Sequence, residues 1–191
     1  KNVNKGSWKL SELETLDGEE TFNGMRAFVY GEFKDKPALK GTPNEIEKGC
    51  NLTWDENSAS IIEFKYAVSF ISSEHARKSL SEEIPGWAFD KLKESARKGW
   101  DQVINQIQVK GSSEKQKKAF YTALYRCYER MVDITEDGEY YSNYDTLVHK
   151  ATRDFYVDDW IWDTYLSLHP LRAIFNPEFK ADMAQSYVEF Y

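Results

Sequence analysis

The stretch that decides the fold is Ile61-Ile-Glu-Phe-Lys-Tyr-Ala-Val-Ser-Phe-Ile-Ser72, followed past Pro85-Gly86 by Phe89-Asp-Lys-Leu-Lys-Glu-Ser-Ala-Arg-Lys-Gly-Trp-Asp-Gln-Val-Ile-Asn-Gln-Ile107. In the first part Ile62, Phe64, Tyr66, Val68 and Phe70 alternate with Glu63, Lys65, Ala67 and Ser69, the period of two expected of a strand with one buried face. In the second, Phe89, Leu92, Ala96, Trp100, Val103 and Ile107 recur at steps of three and four, the stripe of one long helix ending near Val109-Lys-Gly111. The period changes between them, which places a domain boundary near Ser72 to Gly86.

Upstream, Met25 to Phe33 is a second β-prone run, and Gly31, Pro37, Gly41, Pro43 and Gly49 read as punctuation between strands. Four or five strands are expected from Trp8 to Ile71. Downstream, Ser113 precedes Gln116 by three, a capping-box spacing that opens a helix. That helix carries Phe120, Leu124, Cys127 and Met131 on one face and Tyr121, Tyr125 and Tyr128 on its neighbour, so burial on two sides is expected. Thr135-Glu-Asp-Gly138 reads as a turn before a short extended excursion over 139–145. A third helix is expected to begin at Asp158 or Asp159 and stop at His169-Pro170, because the residue before proline disfavours helix. A fourth starts at Asn176-Pro177, with Asn as cap and Pro in the first turn.

With 191 residues and 41% hydrophobic content the chain can bury a sizeable core. A net charge of −7 without a dense Lys/Arg run argues against nucleic acid and against anionic membranes. No apolar run approaches the roughly 20 residues of a membrane helix. Cys50 and Cys127 form no framework and no CxxC pair, and His75, His149 and His169 are too dispersed for a local metal motif. GxGxxG, GxxxxGK[ST], HExxH and GxSxG are all absent, which removes motif support for nucleotide, zinc-protease and serine-hydrolase chemistry. Asn51-Leu-Thr53 fits a glycosylation acceptor, a triplet common by chance.

The chemistry-bearing segment is Phe155-Tyr-Val-Asp-Asp-Trp-Ile-Trp-Asp-Thr-Tyr-Leu-Ser-Leu-His-Pro-Leu171. Carboxylates accept hydrogen bonds from sugar hydroxyls, and indoles stack on the apolar C–H face of a pyranose. Asp158 and Asp159 read equally well as helix caps. Asp163, near the interior and without a local cation, is the stronger candidate, with Arg153 or Arg172 as the ordinary partner it would otherwise have. Trp160 and Trp162, about 200° apart around a helix, cannot both face one pocket, so one is expected in the core.

Several segments in order and spacing carry a family resemblance: Val68-Ser-Phe-Ile-Ser72, Glu74 to Arg77, Glu83-Ile-Pro-Gly-Trp87, Phe120-Tyr-Thr-Ala-Leu-Tyr125, Trp162-Asp-Thr-Tyr165, His169-Pro-Leu171 and Met183 to Tyr187. Through them the sequence resembles glycoside hydrolase family 92, the exo-acting α-mannosidases. The resemblance implies an α+β multidomain fragment: the C-terminal part of a β-sandwich over residues 1–75, a linker and connecting helix over 76–111, and the first helices of an (α/α)6 barrel over 112–191. It implies calcium-dependent, inverting removal of terminal α-linked mannose, of α-1,2-mannosidase type, from mannose-containing glycans by a secreted or periplasmic enzyme. Trp162 and Asp163 match the family's substrate-binding Trp-Asp-Thr motif. Trp160 and Asp159 are carried as further substrate-binding candidates, although they depart from the commoner residues there. No catalytic residue and no metal ligand is assigned: the acid, the base and most calcium ligands are expected beyond Tyr191, in the remainder of the parent polypeptide. From the residues alone, a non-catalytic carbohydrate-binding or interaction module stays open.

Overall fold

The computed structural model describes residues 5–11, 15–22, 24–34, 39–44, 49–54, 61–111 and 113–190. Pro37 and Tyr191 lie outside the described residues. In chain order the described elements are β1 (Lys5–Leu10), β2 (Thr15–Phe22), β3 (Met25–Phe33), β4 (Leu39–Asn44), β5 (Gly49–Trp54), β6 (Phe64–Ser69), α1 (Ser73–Glu83), α2 (Phe89–Ile104) and α3 (Glu114–Arg126). They continue with β7 (Val132–Asp133), β8 (Glu139–Tyr141), β9 (Val148–Lys150), β10 (Tyr156–Val157), α4 (Ile161–Thr164), α5 (Leu168–Phe175) and α6 (Pro177–Glu189). The chain divides into two compact units, Lys1–Trp87 with Glu139–Lys150, and Ala88–Gly138 with Ala151–Tyr191.

In the first unit β1-β2-β3-β6 form an antiparallel sheet, and β4-β5 and β8-β9 form hairpins. The six strands between Lys5 and Ser69 exceed the four or five expected. Gly31, Gly41 and Pro43 lie inside β3 and β4 rather than in connections. Gly31 has a packing reason, since a Cβ there would run into the Phe64 ring of the neighbouring strand.

The alternation in β6 is real, and the buried face is the one that carries the small residues. Phe64, Tyr66 and Val68 are exposed, at 40%, 57% and 46%, while Ser69 is fully buried. The cause is the turn into α1. Ser69 Oγ accepts from the backbone N–H groups of Ile71 and Ser72 at 3.0 and 3.2 Å, and Ser72 Oγ caps α1 by accepting from His75 N–H at 3.2 Å. The chain therefore doubles back onto the small-residue face, where Ala76 and Leu80 of α1 pack on Tyr30 and Ala67. Lys65, on that same face, donates to the Ile84 carbonyl at the end of α1 (3.0 Å) and pairs with Glu32 (3.2 Å). The long side chain thus ties the helix end to the sheet. The β8-β9 hairpin adds buried Tyr140 and Tyr141, the latter under the Arg26 guanidinium at 4.5 Å.

The second unit is built on Met131, Tyr156 and Met183, with Phe179 and Tyr187 against them. The β7-β10 ladder pairs Tyr156 with Asp133 and Val157 with Val132. Ser113 and Gln116 form the expected capping box, Ser113 Oγ accepting from Gln116 N–H and Gln116 Oε1 from Ser113 N–H at 3.3 and 3.0 Å. Burial of α3 on two sides is not observed: among its described residues only Leu124 is buried. Likewise the stripe of α2 is largely open, Trp100 meeting the Tyr125 ring at 4.5 Å while Phe89 is 69% exposed. Pro170 does not end a helix but lies in the first turn of α5, where its missing N–H would have had no helical partner. Pro177 opens α6 as expected, but Asn176 makes no side-chain cap; its Oδ1 accepts from Tyr128 O–H at 3.0 Å instead.

Candidate functional site

The segment from Asp158 to Pro177 is held by one buried carboxylate. Asp159 has 3% of its side chain accessible, and its donors come from three places in the chain. Thr164 O–H, at the end of α4, donates to Oδ1 at 2.7 Å; His169 Nε2–H, in α5, donates to Oδ2 at 2.7 Å; and Tyr187 O–H, in α6, donates to the same oxygen. A buried carboxylate requires such saturation, because an isolated one would be expelled or neutralised. With its Nε2 proton given to Asp159, His169 presents Nδ1 as an acceptor, and Lys180 Nζ lies 2.9 Å from it. Burial lowers the Lys180 pKa, and the Asp159 charge opposes that effect. The line Asp159–His169–Lys180 is thus an internal ion pair relayed through an imidazole.

Neither Asp158 nor Asp159 caps α4. Asp158 takes a left-handed backbone (φ 63°), a conformation Asp tolerates better than most residues, and Asp159 turns inward. Trp160 stands at the helix start without a side-chain cap bond. Its indole N–H donates to Asp158 Oδ1 at 3.1 Å, and the Arg130 guanidinium lies 5.2 Å from the ring centre while pairing with Asp158 at 2.7 Å.

The expected core indole does not exist: Trp160 is 60% and Trp162 87% exposed. Asp163 is exposed rather than interior, and among the described residues its carboxylate has no hydrogen-bond or ion-pair partner. The two candidate arginines are engaged elsewhere. Arg153 pairs with Asp182 at 3.0 Å, and Arg172 is buried with its guanidinium 4.1 and 3.9 Å from the Tyr128 and Phe179 ring centres. The result is a short helix that presents an indole and a free carboxylate outward from a fixed base. Among the described residues, no group of three or more His, Cys, Asp or Glu side chains is placed to hold a metal ion.

Sequence reasoning missed His169, Tyr187, Lys180 and Arg130 as parts of this arrangement. Asp159 meets Thr164 five, His169 ten and Tyr187 twenty-eight residues away, separations that no single-helix or strand period links. The only available signal was chemical: an Asp followed by a His just before a proline.

The sequence model described as "Glycosyl hydrolase family 92 catalytic domain" matches residues 75–191, which include the whole of this site. The chain belongs to glycosyl hydrolase family 92. A search of curated proteins finds no match. Solved structures of family 92 proteins share the fold of this family 92 chain. A family GH92 alpha-mannosidase from Bacteroides thetaiotaomicron superposes with a TM-score of 0.83 at 20% identity, covering 100% of this chain and 28% of that one. A family GH92 inverting mannosidase from Bacteroides thetaiotaomicron VPI-5482 gives 0.82 at 23% identity, covering 98% of this chain and 28% of the other. A gh92 family glycosyl hydrolase, ccman5, gives 0.81 at 19%, covering 98% and 27%. The chain therefore spans little more than a quarter of the length of these relatives, and its mixed α/β architecture is a portion of theirs.

Proposed function

We propose that this chain is the part of an α-mannosidase that recognises the terminal sugar. In this reading Asp163 accepts hydrogen bonds from hydroxyls of a terminal α-linked mannose, and Trp162 stacks on its C–H face. The observation that carries it is the pairing of an unpartnered carboxylate and an exposed indole on one turn whose base is fixed by the buried Asp159 network. Such a turn is ordered before ligand arrives, so binding need not supply the ordering. Asp159, with 3% of its side chain accessible and accepting from Thr164, His169 and Tyr187, is turned inward away from any sugar hydroxyl and serves as a positioning residue.

The rest of the reading comes from the family. The first unit belongs to the C-terminal part of a β-sandwich, and the helices of the second begin an (α/α)6 barrel. Hydrolysis proceeds with inversion, which needs an acid and a base roughly 6.5–9.5 Å apart. The described residues offer no cluster suited to the calcium ion that the family resemblance implies, and no step is assigned to it through this chain. We place the catalytic pair and the calcium ligands in further polypeptide, and the enzyme in a secreted or periplasmic setting where glycans are met.

Two measurements test the proposal. The purified 191-residue chain should not hydrolyse an aryl α-mannoside; turnover would show that the catalytic pair is present here. In the longer enzyme, Asp163→Asn should lower kcat/KM by about 10- to 100-fold, the loss of one charge-assisted hydrogen bond worth about 1.5–3 kcal/mol. Unchanged kinetics would make Asp163 a surface residue.

A further inference from the structure

Arg26 carries a guanidinium that the first unit fixes in place but does not neutralise. The Phe28 ring centre lies 5.6 Å and the Tyr141 ring centre 4.5 Å from its central carbon, cation–π contacts from β3 itself and from the β8-β9 hairpin. Its Nε is buried without a hydrogen-bond partner, and among the described residues the side chain makes no hydrogen bond and no ion pair. A donor taken out of water in this way calls for an explanation. The two terminal nitrogens are not buried, so they carry the hydrogen bonds that Arg26 has left to make.

Arg26 lines a cleft of about 370 Å³, at the small end of the roughly 300–1,000 Å³ of ligand pockets. Strand pairing builds its floor. Ser7, Glu19 and Phe28 lie in one row across β1, β2 and β3, and Thr21 and Arg26 lie in the next row on the same face; all five line the cleft. Arg26 and Glu19 are thus diagonal neighbours, about 7–8 Å apart at the backbone. Their opposite charges do not meet, and Glu19 instead accepts from Ser7 O–H at 3.3 Å. The cleft therefore holds a fork of donors apart from a carboxylate acceptor, with hydroxyls beside each and an aromatic ring in the floor.

These groups select the ligand by elimination. An anion drawn to Arg26 would meet the Glu19 charge, and a cation drawn to Glu19 would meet that of Arg26. A peptide is gripped by main-chain hydrogen bonds at a free strand edge, whereas β2 and β3 are paired on both sides, so a ligand on this face meets side chains alone. A neutral hexose fits: one hydroxyl accepts from the guanidinium, its neighbour donates to Glu19, and the C–H face lies toward Phe28. We propose that this cleft binds a hexose of a glycan, with Arg26 and Glu19 as its polar contacts and Tyr141 as the positioning residue of Arg26. It holds a sugar without acting on it, and it stands independently of the assignment of the terminal mannose to Trp162 and Asp163.

The buried Nε–H of Arg26 supplies the readout, because shielding from water slows its exchange and makes it visible by nuclear magnetic resonance in the 191-residue chain. Its signal is assigned by its loss in Arg26→Lys, and the buried Nε–H of Arg172, in the second unit, gives a reference for bulk effects. Methyl α-mannoside at millimolar concentration should move the Arg26 signal saturably, whereas acetate and glycylglycine at the same concentration should leave it in place. Glu19→Gln, at an exposed position, should weaken that binding about tenfold, and Asp163→Asn should leave it unchanged. An Arg26 signal indifferent to the mannoside, an equal response to acetate or glycylglycine, undiminished affinity in Glu19→Gln, or a response lost in Asp163→Asn would overturn the proposal. If Arg26 responds while the Trp162 indole N–H ignores the mannoside, the terminal-sugar assignment fails and the cleft stands.

Discussion

Asp159→Asn is the sharpest perturbation of the second unit, because it changes one atom and almost no volume. The carboxylate accepts three hydrogen bonds with 3% of its side chain accessible. The amide keeps one oxygen, which can stay with Thr164; its NH2 then faces His169 Nε2–H and the Tyr187 hydroxyl. Tyr187 can rotate and accept. His169 can accept through Nε2 only by moving its proton to Nδ1, where it would oppose Lys180 at 2.9 Å. Two charge-assisted bonds are lost at about 1.5–3 kcal/mol each, partly offset by no longer burying a charge, for a net loss of about 3 kcal/mol. With two units the chain need not unfold in one step, so the assay must report on the second unit alone. Its three methionines allow this. Met131 and Met183 lie in the second core and Met25 in β3 of the first, so methionine-methyl resonances followed through a urea titration resolve the two. The Met131 and Met183 midpoints should fall while that of Met25 stays. In a thermal scan the same loss amounts to about 12–24 °C for the second unit, taking about 4–8 °C per kcal/mol for a unit of about 90 residues. A shift worth less than about 0.5 kcal/mol would mean that Asp159 organises nothing.

Two further outcomes are expected. Lys180 has its pKa lowered in the folded chain, so between that value and its unfolded value near 10.4 the unfolded state binds more protons and stability should rise with pH. In a Cys127→Ala background, which removes a half-buried thiol that, its pKa raised by burial, acts in the opposite direction over the same range, Lys180→Met should abolish that rise when the Met183 signal is followed from pH 8 to 10, below the range where Tyr156, its pKa also raised by burial, opposes it; an undiminished slope would place the titrating group elsewhere. Gly31→Ala should destabilise the first sheet by about 1–3 kcal/mol through collision with Phe64, and Phe64→Ala in the same chain should recover part of the loss. Strict additivity of the two would show that they do not touch.

Local interactions were legible in the sequence and distant ones were not. The Ser113–Gln116 box could be read because both partners lie within one turn, and its bonds depend on nothing else. The β6 period could be read too, but its phase could not. Which face is buried depends on where the next element goes, and the Ser69–Ser72 corner sends α1 to the side of Ala67 rather than that of Tyr66. The same distinction explains Pro170, whose restriction on its neighbour is local while its place in a helix depends on where α4 ended. Within the candidate site, Trp162 and Asp163 were visible as a motif. The buried Asp159 network was not, because its members are brought together only when α5 and α6 pack.

The β8-β9 hairpin has a consequence for biogenesis. Residues 139–150 belong to the first unit, yet a ribosome delivers all of residues 88–138 before them. During synthesis the first unit therefore waits, without Tyr140 and Tyr141, while α2 and α3 emerge, and the nascent chain must hold an unfinished module open to its last hairpin. The three crossings between units, at 87–88, 138–139 and 150–151, also mean that no single protease cut separates the two cleanly: a cut at 87–88 or 150–151 leaves one unit covalently whole but still carrying a segment of the other.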